Sequence, residues 1–254
     1  MLEVRSISVA RLLALERLPR DGVFAAYIAG SAVDGLGNAW SDIDLYVIGD
    51  CAPIGDFVID NGNHHVSIHY LNSQRVDFEF WKPGHIKKLA AELDGFVDDK
   101  LGDEVPLSIA EQQFVHRLLH NSPCFGDVET WARTFDIQQL SRMQMHACVR
   151  QTDSLHEDIC GMLESGDYAS AALLCRPLLE NALGASLHAS GNTIPTAKWR
   201  FQIAQKMLPK IDSLDMWWKL QFPSLPDRED TASLFKYVVD CILLSEQLVI
   251  TAQT

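Results

Sequence analysis

Residues 28–47 read IAGSAVDGLGNAWSDIDLYV, and the spacing inside this stretch decides the fold. An apolar segment, Val23–Ala29, runs into Gly30-Ser31. After ten intervening residues Asp42-Ile43-Asp44 opens a second apolar segment, Ile43–Ile48. Side chains alternate across a strand, so Asp42 and Asp44 share one face while Ile43, Leu45 and Val47 take the other. Two carboxylates side by side on a half-buried strand repel one another, and a cation between them relieves the strain. Mg²⁺ commonly takes one or two carboxylates together with substrate phosphates. Asp42 and Asp44 are therefore candidate magnesium ligands. Gly30 lets an anion approach the backbone, the N–H groups that follow favour a phosphate, and the Ser31 hydroxyl adds a donor. Gly30 and Ser31 are the candidate nucleotide-binding pair.

A third carboxylate is expected from a later strand. Arg75-Val-Asp-Phe-Glu-Phe-Trp81 places Asp77 and Glu79 on one face and Val76, Phe78 and Phe80 on the other. Asp77 is the expected third position, holding a second metal or removing a proton from an acceptor hydroxyl. Glu79 is the rival for that role. His65–Leu71 is a further strand, joined to Val76–Trp81 by a turn at Asn72-Ser73-Gln74.

This arrangement resembles the DNA polymerase β-like nucleotidyltransferase superfamily over about residues 25–81. Within it, Gly-Ser-Ala-Val-Asp-Gly followed by Ser-Asp-Ile-Asp-Leu is similar to the aminoglycoside adenylyltransferases that modify streptomycin and spectinomycin. The resemblance implies that Asp42 and Asp44 bind Mg²⁺ and that Asp77 is the catalytic base, an aspartate standing where that subgroup usually has glutamate. It implies an α+β fold, with an N-terminal mixed sheet flanked by helices and a C-terminal antiparallel helical bundle. It also implies transfer of a nucleoside monophosphate from ATP, or another nucleoside triphosphate, to the hydroxyl of a small acceptor. Cationic acceptors such as an aminoglycoside are included, and antibiotic resistance is the associated role. Family members use a lysine of the C-terminal domain to neutralise the triphosphate. Lys198 and Arg200, at the start of a predicted helix, are the candidates here. Two other readings stay open: transfer to a protein or tRNA acceptor, as in a toxin–antitoxin pair, and a non-catalytic nucleotide-binding regulator.

Composition narrows the partners. The chain has 254 residues and a net charge of −13, and both halves are acidic. Binders of long nucleic acid need a cationic surface, so that class is disfavoured. No apolar run reaches the length of a membrane span. The first 21 residues carry charges among their apolar positions and read as an amphipathic helix rather than a signal peptide. Six cysteines without CxxC spacing point to free thiols in a reducing cytoplasm.

The second half has helical periodicity. Helices are expected over about 137–163, 168–189, 196–207 ending at Pro209, and 230–250. A boundary near 125–135 gives a catalytic domain over 1–128 and a helical domain over 129–254. Three further groups carry weaker signals. His64, His65 and His69 read as surface histidines rather than a metal site. Asp94, Asp98, Asp99, Asp103 and Glu104 read as a solvated acidic loop, with a cationic-acceptor site as the alternative. Arg142-x-x-x-His146 faintly resembles the Arg/His motif of HEPN-type ribonucleases, against a plain helical reading.

Overall fold

The computed structural model describes residues 3–4, 7–97, 105–207, 212–224 and 227–253. Asp98, Asp99, Asp103, Glu104 and Pro209 lie outside them. The described chain divides into two compact units, one of residues 1–96 and 106–136 and a second that holds 137–254.

The first unit starts with a two-strand pair, β1 (Glu3–Val4) and β2 (Ile7–Ser8), followed by α1 (Val9–Leu15). The amphipathic helix expected at the N-terminus is thus a single short helix. Arg17, at φ 52°, and the Leu18–Pro19 pair end it. The remaining elements are β3 (Val23–Ala29), β4 (Ile43–Gly49), β5 (Val58–Asp60), β6 (His64–Leu71) and β7 (Gln74–Trp81). After them come α2 (Pro83–Asp94), α3 (Ile109–Leu119), β8 (Ser122–Gly126) and α4 (Val128–Ala132).

Six strands form one mixed sheet in the order β5-β6-β7-β4-β3-β8. Every neighbouring pair is antiparallel except β4 and β7, which run parallel. The β6–β7 connection is the tight turn expected there. Asn72 and Ser73 both have positive φ, at 53° and 64°, as a two-residue hairpin turn requires. Strand β8 lies at one edge of the sheet. Pro123 is tolerated because an edge strand need not donate from every residue. Gly126 at φ 69° is required there, since a Cβ would lie 2.0 Å from the Phe24 carbonyl oxygen.

The two faces of this sheet differ in chemistry. One carries Ala26, Ile28, Ile43, Leu45, Val47, Val76, Phe78 and Phe80, packed with Leu12 of α1 into an apolar core. That layer also holds Glu16, which is fully buried. Its carboxylate accepts from the Ile54 amide at 2.9 Å and meets His69 Nε2 at 2.8 Å, with Arg20 Nη2 at 3.7 Å. The other face is covered by α3, whose Phe114 stacks on Trp81 with ring centroids 4.1 Å apart. Helix α3 opens with a capping box in which Ser108 and Glu111 bond each other's backbone.

The second unit is helical: α5 (Ile137–Ser165), α6 (Tyr168–Ala189), α7 (Arg200–Met207), α8 (Asp212–Gln221) and α9 (Thr231–Gln253). Gly166-Asp167 turns the chain back so that α6 runs antiparallel against α5, and α6 also packs on α9. Its core includes Leu155, Ile159, Leu178, Leu179, Leu183, Val238 and Leu244. The structure adds α8, which the sequence reading did not expect. The fold class is therefore α+β, a mixed sheet with flanking helices and a C-terminal helical bundle. No helix among the described residues is long and apolar enough to cross a membrane.

Glu16→Ala strands the groups that bond its carboxylate. It is expected to lower unfolding stability by about 3 kcal/mol in urea denaturation, with Glu16→Gln losing less because it keeps the Ile54 bond.

Candidate metal and nucleotide site

The parallel pairing of β4 with β7 sets Asp44 directly beside Asp77, and Tyr46 beside Glu79. Because β3 is antiparallel to β4, Ala29 lies opposite Asp44, and the chain leaves β3 into a single 3₁₀ turn over Gly30–Ala32. Asp42, Asp44 and Asp77 each offer an oxygen, and these atoms lie within 4.8 Å of one another. Gly30 faces the same group. At φ 75° it adopts a conformation open to glycine, and a Cβ there would sit 2.2 Å from Asp44 Oδ2. Ser31 is buried beside it. The loop that follows is pinned by bonds from the Val33 and Asp34 amides to Gly30 O, and from the Gly37 amide to Ser31 O.

Three carboxylate oxygens at this spacing suit a hard divalent cation. Octahedral Mg²⁺ places its oxygens up to about 4.2 Å apart, which small side-chain rotations reach from here. The donor set fits Mg²⁺ or Mn²⁺ and lacks the nitrogen and sulfur that a zinc site would favour.

Glu79 shares a strand face with Asp77 but has other partners. Its Oε1 accepts from the Tyr46 hydroxyl at 2.9 Å and pairs with Arg117 Nη1 at 3.3 Å, while Oε2 accepts from Trp81 Nε1 at 3.2 Å. Arg117 also donates to the Tyr46 hydroxyl. These contacts form a floor beneath the aspartates. Asp77 joins the cluster with Asp42 and Asp44, whereas Glu79 is bonded to Arg117, Tyr46 and Trp81.

Burial chiefly pushes the Asp44 carboxyl up, from 3.8 to about 6; the Arg117 charge pulls it down, and Asp42, Glu79 and Asp77 add to the rise. Burial works against the Arg117 charge, but Tyr46, Asp44 and Glu79 outweigh it and hold the guanidinium protonated.

Two arginines escaped the sequence reading. Arg117 comes from α3 and left no local signal. Arg75 did, because alternation puts it on the face of Asp77. Its Nε and Nη2 donate to Asp77 Oδ1 and Oδ2, each at 2.7 Å. Trp40 stands 94% exposed just before Asp42, in a turn fixed by Asn38 and Ser41. Gln74 Nε2 ties that turn to β7 by donating to Ser41 O at 2.8 Å.

The remaining candidates have partners of their own. Within the second unit, Lys198 is exposed with Nζ 5.1 Å from the Trp199 ring centre, and Arg200 Nη1 lies 3.5 Å from Glu180 Oε2. His64 stacks on Trp81, His65 faces Asp60 and His69 meets Glu16, so the three histidines do not converge on one point. Arg142 reaches Gln139 on its own helix.

Known structures bear on the fold. The chain is similar to a nucleotidyltransferase-like protein from Exiguobacterium sibiricum 255-15, with a TM-score of 0.53 and 14% identity over 96% of this chain and 74% of that one. The likeness is one of fold. No family model matches the chain, and no curated protein is detectably similar to it in sequence.

The raised Asp44 carboxyl carries a sign. The folded protein keeps a proton that the unfolded chain releases from about pH 4 upward, so this group's contribution to stability falls as pH rises and is fully unfavourable above about 6. Asp44→Asn in EDTA is therefore expected to be more stable than the parent at pH 7.5, by about 1–3 kcal/mol in urea unfolding, with the gap closing at pH 4. Equal gaps at both pH values would refute the assignment.

Proposed function

We propose that the chain is a magnesium-dependent adenylyltransferase that moves AMP from ATP to a hydroxyl of a small acceptor. The observation that carries this reading is the convergence of Asp42, Asp44 and Asp77 next to the Gly30-Ser31 turn. Asp42, Asp44 and Asp77 would hold Mg²⁺, which when bound supplies charge neutralisation at the phosphates.

The chain's own residues then have distinct tasks. The backbone N–H groups after Gly30 and the Ser31 hydroxyl bind the outer phosphates, with the missing Cβ of Gly30 leaving room for close approach. Asp77 orients the acceptor hydroxyl and takes its proton. The freed oxygen bonds to the α-phosphorus as the bond to the β-phosphate oxygen breaks, and pyrophosphate leaves. Most of the acceleration comes from positioning and from charge placed in advance, so the protein needs no covalent intermediate. Glu79 and Arg117 act as floor, fixing Tyr46, and Arg117 steadies the charge on Asp44. Lys198 and Arg200 are proposed to neutralise the triphosphate.

The proposed acceptor is a small molecule that carries a hydroxyl. The net charge of −13 favours cationic ones such as an aminoglycoside, which would make the enzyme an agent of antibiotic resistance in the cytoplasm. Asp42→Asn and Asp44→Asn are expected to lower Mg²⁺-dependent labelling of acceptors from α-labelled ATP by at least about 100-fold while circular dichroism stays unchanged. Retained labelling would reject the site. Label found on protein or tRNA instead of small molecules would reject the acceptor class and keep the chemistry.

A further inference from the structure

Asp77 has a partner that the reaction above does not use. The Arg75 guanidinium grips its carboxylate with two parallel bonds of 2.7 Å, the strongest geometry available to this pair. The grip comes from two residues earlier on the same strand, so the β-alternation that aims Asp77 at the cluster also aims Arg75 at Asp77.

The two arginines near the cluster differ in freedom. Arg117 is wedged beneath Tyr46 and Glu79 in the floor. The Arg75 side chain is 45% exposed and reaches Asp77 from the solvent side, so a change of rotamer takes it into water without disturbing the sheet. Asp77 itself is only 9% exposed and stays where β7 holds it.

A carboxylate has lone pairs for several partners, but a guanidinium and a divalent ion on the same two oxygens repel each other at close range. Resting on the metal-site reading above, we propose that Arg75 is an internal counter-cation that competes with the divalent ion for Asp77. Asp42 and Asp44 are free to take the ion first. Asp77 enters the metal shell, and becomes able to accept the acceptor proton, only as Arg75 lets go. Arg75 is thus a positioning residue that sets the order of assembly. It keeps the third carboxylate neutralised until metal and triphosphate are in place, which limits idle hydrolysis of the nucleotide.

The test is Mn²⁺ binding to the intact chain without nucleotide, read by electron paramagnetic resonance and calorimetry. Arg75→Gln is expected to bind Mn²⁺ about tenfold more tightly than the parent, with Arg75→Lys in between. Adding Asp77→Asn should erase the difference, so that Asp77→Asn and the Arg75→Gln/Asp77→Asn double variant bind alike. Thermal unfolding separates a merely structural role. Arg75→Gln should be less stable than the parent in EDTA and should regain the difference at saturating Mn²⁺. Unchanged or weaker binding in Arg75→Gln, or a gain that survives Asp77→Asn, would overturn the proposal. Failure of the underlying site looks different: the parent and Arg75→Gln would both bind no Mn²⁺, or Asp44→Asn would leave binding intact.

Discussion

Three carboxylates with oxygens within 4.8 Å of one another are the constraint around which the first unit is organised. Left alone, Asp42, Asp44 and Asp77 would push their strands apart. The sheet resists because the parallel β4–β7 pair is locked by apolar side chains beneath it, from Ile43 to Phe80. Positive charge reaches the cluster from two directions, Arg117 from below and Arg75 from the rim. The close approach of Gly30 to Asp44 completes the arrangement, since any larger residue would occupy the carboxylate's place.

The same packing divides the acidic groups of one sheet face into two kinds. Glu79 is spent on Tyr46, Trp81 and Arg117, and its charge is permanently matched. Asp42 and Asp44 lie where a mobile cation can reach them. Asp77 stands between these states, because its partner is an arginine on a solvent-facing tether. Chemistry follows from which charges are answered by the protein and which are left for a ligand to answer.

Much of this was legible in the sequence where the signal was local. Alternation around Asp42-Ile43-Asp44 and Arg75–Trp81 gave β4 and β7 their faces, and with them the candidate aspartates. The Asn72-Ser73 turn was legible because few residues accept two positive φ angles in succession. Non-local pairing was hidden. Ser122–Gly126 carries no strand pattern of its own, and pairing with the edge of β3 makes it a strand. Arg117 sits 71 residues from the hydroxyl it bonds, and nothing in α3 announces that role. Asp77 and Glu79 share a face, so alternation could not separate them; their partners do. The capping box of Ser108 and Glu111 is written in the sequence, but the apolar pattern of α3 is too short to announce a helix by periodicity.

The hairpin that delivers Asp77 also limits how this protein can change. Strand β7 is held on both sides, antiparallel to β6 through a two-residue turn and parallel to β4. Inserting or deleting one residue at Asn72-Ser73 would rotate β7 by half a repeat. Asp77 and Glu79 would then face the apolar layer, and Val76 and Phe78 would face the carboxylates. Compensation would require a matching slip along β4, which would carry Asp44 away from Gly30. Related chains that keep this pocket should therefore differ in composition across residues 72–81 far more readily than in the number of residues there.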